Sequence, residues 1–285
     1  MRRAARGGND LAMLDDPGLT EMRVHYARGR ELGRLGESFG QLEFERTKEI
    51  ILRHLPPPPA VVADIGGGPG RYALWLAQLG YRVLHRDLMP LHVEQLRQAA
   101  GADPRIQTAV ADARQLDLGS ESADAVLLLG PLYHLDRRRD RLQALAEAQR
   151  VVRPGGPVFV AAVSRWATRM DGILRLRLYE EIPGAEAELA AIERTGRLPP
   201  LRPGSFCGYA HRPGQLRAEL AAGGLQVIDL VSVEGPAYLL DDLPERLTDD
   251  EARRVVLETA RALERVPELL GIGPHLLATA LAASV

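Results

Sequence analysis

The sequence predicts an α/β chain: a doubly wound sheet of seven strands, mostly parallel, with helices on both faces. Three observations carry this. Short apolar or β-branched runs alternate with helical patterns from Val61 to Val163. Glycines 66, 67, 68 and 70 lie between the first of these strands and the first helix. The chain has 285 residues, 46% of them hydrophobic, enough for one large core carrying an insertion.

The elements follow in order. Asp15-Asp16-Pro17-Gly18 reads as a turn, and Thr20 as the cap of a helix through Met22 and Tyr26. A stronger helix spans Gln41 to Leu55, with Phe44, Thr47, Ile51 and Leu55 on one face, and Pro56–Pro59 stops it. Residues 1–59 are therefore expected to form a helical cap, and 60–285 the main domain. Val61 and Val62 open the first strand, and Arg71–Leu79 form a helix closed by Gly80. Further strands are expected at 81–87, within 106–114 where the third runs into a turn, at 123–130 and at 158–163. The second is followed by a helix with Pro90 at its first position, the fourth by a helix through Leu142 and Leu145.

Residues 164–211 leave this alternation. Helical stretches at 168–182 and 184–196 and a stiff loop at 198–204 suggest an inserted cap over the site. A helix at 215–222, a strand at 225–233 and a helix capped by Thr248 follow. His275–Leu281 is expected as a last strand, at or beside a sheet edge.

Charge and composition exclude several classes. A formal net charge of −2 gives no overall basic field for nucleic acid or anionic membrane. The basic start leads into no apolar signal region, and no run of ~18 apolar residues occurs. Cys207 is the only cysteine, so no internal disulfide forms, which fits a cytoplasmic protein. Lys48 is the only lysine, so individual arginines carry little functional weight. No metal-ligand spacing is found.

The glycine loop suits two kinds of cofactor. A dinucleotide site wants G-x-G-x-x-G/A, and here Arg71 stands at the small last position. The pattern acid-x-G-x-G-x-G is matched throughout by Asp64-Ile65-Gly66-Gly67-Gly68-Pro69-Gly70. An ammonium and a carboxylate can be met there by a strand-end acid and by loop amides. This stretch resembles motif I of the class I S-adenosyl-L-methionine (SAM) methyltransferases. It is closest to the ubiquinone/menaquinone-biosynthesis type that acts on small molecules.

The resemblance implies a Rossmann-like sheet with one antiparallel strand, assigned to the C-terminal segment. It implies SAM as cofactor and S-adenosyl-L-homocysteine as product. Asp64 would order the loop and face the ammonium, with Gly66, Gly67, Gly68 and Gly70 supplying the loop. Asp87, beside Leu88, would accept from the ribose hydroxyls. Asp112 and Ala113 would pair with the adenine edge, Leu129 would end the fourth strand beside the cofactor, and Tyr26 would close over it.

Gly130-Pro131-Leu132-Tyr133 replaces the N/D-P-P-Y motif of amino-methylating enzymes, and no basic tract interleaved with aromatics suggests RNA. A small metabolite or short peptide is the expected acceptor, with a homodimer allowed. His134, titrating near neutrality, is the first candidate base and Tyr133 the second. Arg165, Tyr209, His211 and Arg212 are the candidate substrate contacts. A SAM-binding subunit without turnover stays open as the alternative, and an NAD(P)-dependent oxidoreductase after it.

Overall fold

A computed structural model describes residues 17–29, 31–36, 38–200 and 206–283. Five parallel strands lie in the order β3-β2-β1-β4-β5, with β1 at Val61–Ile65, β2 at Arg82–Asp87, β3 at Ile106–Val110, β4 at Ala125–Leu128 and β5 at Pro157–Ser164. The inserted segment adds β6 (Arg197–Leu198) and β7 (Gly208–His211), and β7 pairs with the last two residues of β5. β8 (Leu225–Ser232) and β9 (His275–Ala282) complete the sheet.

β9 runs antiparallel to β5 from Pro157–Leu281 to Val163–His275, and β8 runs antiparallel along its other side. The C-terminal segment is thus the antiparallel strand expected for it, beside the edge strand β8. β1 to β5, β8 and β9 match the seven strands read from the sequence. β6 and β7 lie in the insertion, where Gly208, Tyr209 and His211 give no apolar run to mark a strand.

Inner strands are apolar on both sides because helices cover both faces. β4 is buried at all four positions. On one face Leu145, Ala148, Leu216 and Leu220, from helices Arg138–Val151 and Pro213–Ala222, pack against Val126, Leu128 and Val160. On the other, Ile50, Ile51, Ala73, Leu76 and Leu96, from helices Ser38–Leu52, Arg71–Gln78 and Pro90–Ala100, pack against Val62, Val83, Leu127 and Phe159.

The N-terminal segment is fixed by charge as well. Arg46, fully buried on helix Ser38–Leu52, pairs with the buried Glu264, which also takes two bonds from Arg53 at 2.8 and 3.0 Å. Removing one partner would strand a buried charge, so this network holds the segment firmly against the strand-8 end of the sheet.

Several boundaries differ from expectation. The first described helix begins at Pro17, so Thr20 lies inside it and not at its start; Asp15 and Asp16 lie outside the described residues. The helix expected at 168–182 is broken into Arg165–Met170, a π-turn at Asp171–Arg175 and Leu178–Glu181. Gly172 lies within that π-turn, and a Cβ there would press on Leu178 and Leu189 at 3.2–3.4 Å. Asp249, not Thr248, caps helix Asp250–Leu263, its carboxylate accepting from the Ala252 amide at 2.8 Å. Residues 201–205 of the expected loop lie outside the described residues.

Candidate active site

The glycine loop leaves β1 at the carboxyl end of the parallel strands, where open α/β sheets bind ligands. Gly68 has φ +57 and donates its amide to Asp87 Oδ2 at 2.8 Å. Its carbonyl accepts from His85 Nε2 at 3.0 Å, which requires that tautomer, so the Thr108 hydroxyl donates to His85 Nδ1 at 2.9 Å. Burial pushes the His85 imidazole down to about 4, keeping the ring neutral. A Cβ on Gly67 would lie 2.6 Å from both Asp64 Cγ and His85 Cδ2, so only glycine fits between loop and strand. Gly70 serves packing: it does not line the cleft, and a Cβ there would strike Leu96.

The loop forms one wall of a cleft that also brings together Asp87, Leu88, Asp112, Ala113, Leu129, Tyr26, Tyr133 and His134. Asp64 is the exception. It is fully buried beneath Gly67, does not line the cleft, and neither carboxylate oxygen has a hydrogen-bond partner. Burial, with the charge of Asp87, pushes its carboxyl up to about 7. The expectation that Asp64 orders the loop amides is corrected: Asp87 takes the Gly68 amide and His85 donates to the Gly68 carbonyl, because β2 ends directly beside the loop.

Asp87 is nearly saturated. Oδ1 accepts from the Met89 amide at 2.8 Å and from His92 Nδ1 at 3.0 Å, and Oδ2 accepts from Gly68. Burial opposes its charge, but these donors hold the carboxyl below its usual range. Of about four lone-pair positions on a carboxylate, one remains, on Oδ2. Asp112 is engaged too, by the Arg114 amide at 2.8 Å and by a guanidinium fork whose closest contact is 2.7 Å.

Opposite the loop stands an aromatic wall. Tyr26 and the Nε2 of His134 share a hydrogen bond of 2.7 Å across the cleft, joining the N-terminal segment to the turn after β4. Tyr133, His134 and Phe206 pack edge-on or tilted to one another, with centroids 4.8–5.9 Å apart. Burial pushes His134 down to about 4, which corrects the expectation of titration near neutrality. The same desolvation raises Tyr26 and Tyr133 well above the ordinary phenol range. At neutral pH all three are uncharged, and none is a strong base.

The inner end of the cleft holds a charge cluster that local patterns could not reveal, since its members are scattered from 31 to 275. Arg34 donates to Glu31 at 2.8 Å and to Glu43 at 2.5 Å. His275 Nδ1 lies 2.6 Å from Glu234 Oε1 and 3.8 Å from Glu43 Oε2. Burial works against the His275 charge, but Glu43 and Glu234 raise it to about 9. Glu43, Glu234 and His275 have the donor types of a metal site. Their charges are already matched, Glu43 by Arg34 and Glu234 by His275.

The candidate substrate contacts are not in the cleft. Arg165 donates to the Ala210 carbonyl at 2.9 Å and to Tyr209 at 3.2 Å. Tyr209 lies under the Arg141 guanidinium at 3.7 Å, and His211 meets Glu219 at 3.2 Å beside the buried Arg141–Glu219 pair. Arg212 is exposed and packs over Trp166. These residues fasten the insertion to the main domain. Among the described residues the insertion reaches the aromatic wall through Phe206 and lines none of the cleft; the N-terminal segment is the roof.

Residues 63–160 match the family model described as a methyltransferase domain. They carry the domain of a class I SAM-dependent methyltransferase. A ubiquinone/menaquinone biosynthesis C-methyltransferase of Acidiphilium cryptum is 34% identical over 122 residues, 41% of this chain and 48% of that one. A malonyl-[acyl-carrier protein] O-methyltransferase of Methylococcus capsulatus is 31% identical over 150 residues, 49% and 54% of the two chains. The chain thus spans about half the length of these curated relatives. A crystal structure of a Burkholderia thailandensis 1,6-didemethyltoxoflavin-N1-methyltransferase, with that compound and S-adenosylhomocysteine bound, covers 100% of this chain and 94% of its own at a TM-score of 0.57 and 18% identity. That likeness establishes the same Rossmann-like methyltransferase fold.

Proposed function

We propose that this protein is a SAM-dependent methyltransferase that moves a methyl group to an O, N or C atom of a small metabolite or short peptide. The observation that carries the reading is the glycine loop held by Asp87 at the carboxyl end of the sheet, within the stretch matching the methyltransferase domain. The residues fit the cofactor. The loop has no room for a Cβ at Gly67; with the Gly66, Gly68 and Gly70 amides spent on Arg86, Asp87 and Gly67, the Gly67 amide is left for a carboxylate, and the orphaned Asp64 carboxylate behind it favours a cation above. Asp87 keeps one acceptor position for a ribose hydroxyl. Asp112 and the Ala113 amide, which line the same cleft, would take the adenine edge.

When bound, SAM supplies a methyl group on a sulfonium, already an excellent leaving group. The protein's own task is then alignment and exclusion of water. Tyr26 and His134 close the cleft from above and, being neutral, present a dry wall to the reacting centre. Residues 17–59 act as the cap of the site. Net charge and the lack of a basic tract favour a small acceptor over nucleic acid, and no described helix is long and apolar enough to cross a membrane. A cytoplasmic setting fits the single cysteine.

The experiment is incubation of the protein with methyl-labelled SAM and a metabolite extract of its host. A labelled small molecule, formed together with S-adenosylhomocysteine, supports the reading. SAM binding with no transfer to any component would favour the regulator instead.

A further inference from the structure

His275 and Glu234 lie outside the matched stretch, and neither stood out in the sequence. Glu234, fully buried, spends both oxygens on His275: one on Nδ1 at 2.6 Å, the other on the backbone amide at 3.2 Å. The ring lines the cleft, and Nε2 has no hydrogen-bond partner among the described residues. Glu43, from helix Ser38–Leu52, stands on the same side of the ring, while Arg34, one layer further out, is spent on Glu31 and Glu43. Ala161, Val233 and Leu277 also line this cleft. An unspent N–H on an imidazolium, in a cleft with such apolar lining, can donate to an anionic oxygen.

The aromatic wall points the same way. A neutral hydroxyl, a protonated amine or a carbon acid must lose a proton to react, and the wall offers no strong base. An acceptor that arrives ionised needs none. We propose that His275, held by Glu234, binds a carboxylate or an acidic phenolate of the methyl acceptor, so that the acceptor class is organic oxygen acids. This rests on the methyltransferase reading. The step balances without a catalytic base: the acceptor oxygen's lone pair forms the O–CH3 bond, the S–CH3 bond breaks, and its electron pair returns to sulfur. His275 is then a binding residue for the acceptor, and Glu234 positions it.

The test uses the full chain saturated with S-adenosylhomocysteine and three probes: benzoate, benzyl alcohol and benzylamine. Calorimetry at pH 7.5 should show benzoate binding at least about 10-fold more tightly than the other two. Taking the pH to 10 should weaken benzoate at least about 5-fold, since His275, raised to about 9 by Glu234 and Glu43 against burial and Arg34, loses its proton on the way. His275→Gln should abolish both the preference and its pH dependence, with S-adenosylhomocysteine affinity kept within about 2-fold as the check on folding. The wild-type pH series stands alone should that variant fail to fold. Benzylamine binding as well as benzoate, no benzoate binding, or benzoate affinity flat with pH would overturn the proposal. Failure of the wild-type protein to bind S-adenosylhomocysteine would strike the methyltransferase reading instead.

Discussion

Replacing Asp87 by Asn probes the joint between loop and sheet. The side chain keeps its size, but one acceptor oxygen becomes an NH2 donor. If that group takes the Oδ2 position it meets the Gly68 amide, donor against donor, across 2.8 Å. If it takes the Oδ1 position it meets the Met89 amide and His92. Either way at least one charge-assisted bond is lost, worth about 1.5–3 kcal/mol, and a nearly buried N–H is left unpaired. The first orientation harms the loop; the second harms the start of helix Pro90–Ala100. Gly68 carries a single bond to this carboxylate and the other oxygen carries two, so the amide should settle facing Gly68. S-adenosylhomocysteine affinity should then fall about 10- to 100-fold, because the cradle and the remaining acceptor position go together. Isothermal titration calorimetry gives the affinity, and thermal unfolding checks that the fold survives. A folded Asp87→Asn variant with affinity within about 2-fold of wild type would refute this account of the loop.

Other predictions follow from the same geometry. Asp64→Asn should raise the Tm of the unliganded protein at pH 8. A carboxyl raised to about 7 when folded but near 4 when unfolded disfavours folding once ionised, so its penalty grows as pH rises from about 4 to 7 and is full above that; an equal or lower Tm at pH 8 would count against an unpartnered Asp64. His134→Ala should break the bond to Tyr26 and raise KM for the acceptor, while the wild-type pH profile should show no limb between pH 6 and 7, since burial moves this group to about 4; a wild-type limb there that His134→Ala removes would restore it as a base. Glu219→Ala should leave the buried Arg141 guanidinium without its partner and cost about 3–5 kcal/mol of stability, seen in denaturant unfolding, with cofactor affinity unchanged in whatever remains folded.

The sheet was legible because its strands obey local rules. Val61–Asp64 run straight into a glycine loop, β4 is apolar throughout, and Pro154-Gly155-Gly156 announces β5. That Asp87 and Asp112 line one cleft was legible for the same reason: Asp87 ends β2, Asp112 lies two residues past β3, and a strand end has a known place in such a sheet. What failed was anything set by burial or long-range pairing. Asp64 matches its motif, yet whether it meets a ligand or lies beneath Gly67 depends on how β2 packs His85 beside it. His134 lines the cleft as the reading expected, but its affinity for protons is set first by the loss of water on burial, which no local pattern shows. Arg165, Tyr209 and His211 read as polar groups of a cap, and the fold uses them to bolt that segment to Arg141 and Glu219. The Arg34–Glu43–His275–Glu234 cluster draws on four separate elements, so no window of sequence contains it.

The most direct test of the central claim, that this cleft is a SAM site, is a calorimetric titration of the full chain with S-adenosylhomocysteine beside one with NADH. The account predicts one-to-one binding of S-adenosylhomocysteine and none of NADH, because Arg71 stands where a dinucleotide loop needs a small residue. Binding of NADH, or no binding of S-adenosylhomocysteine, would contradict it.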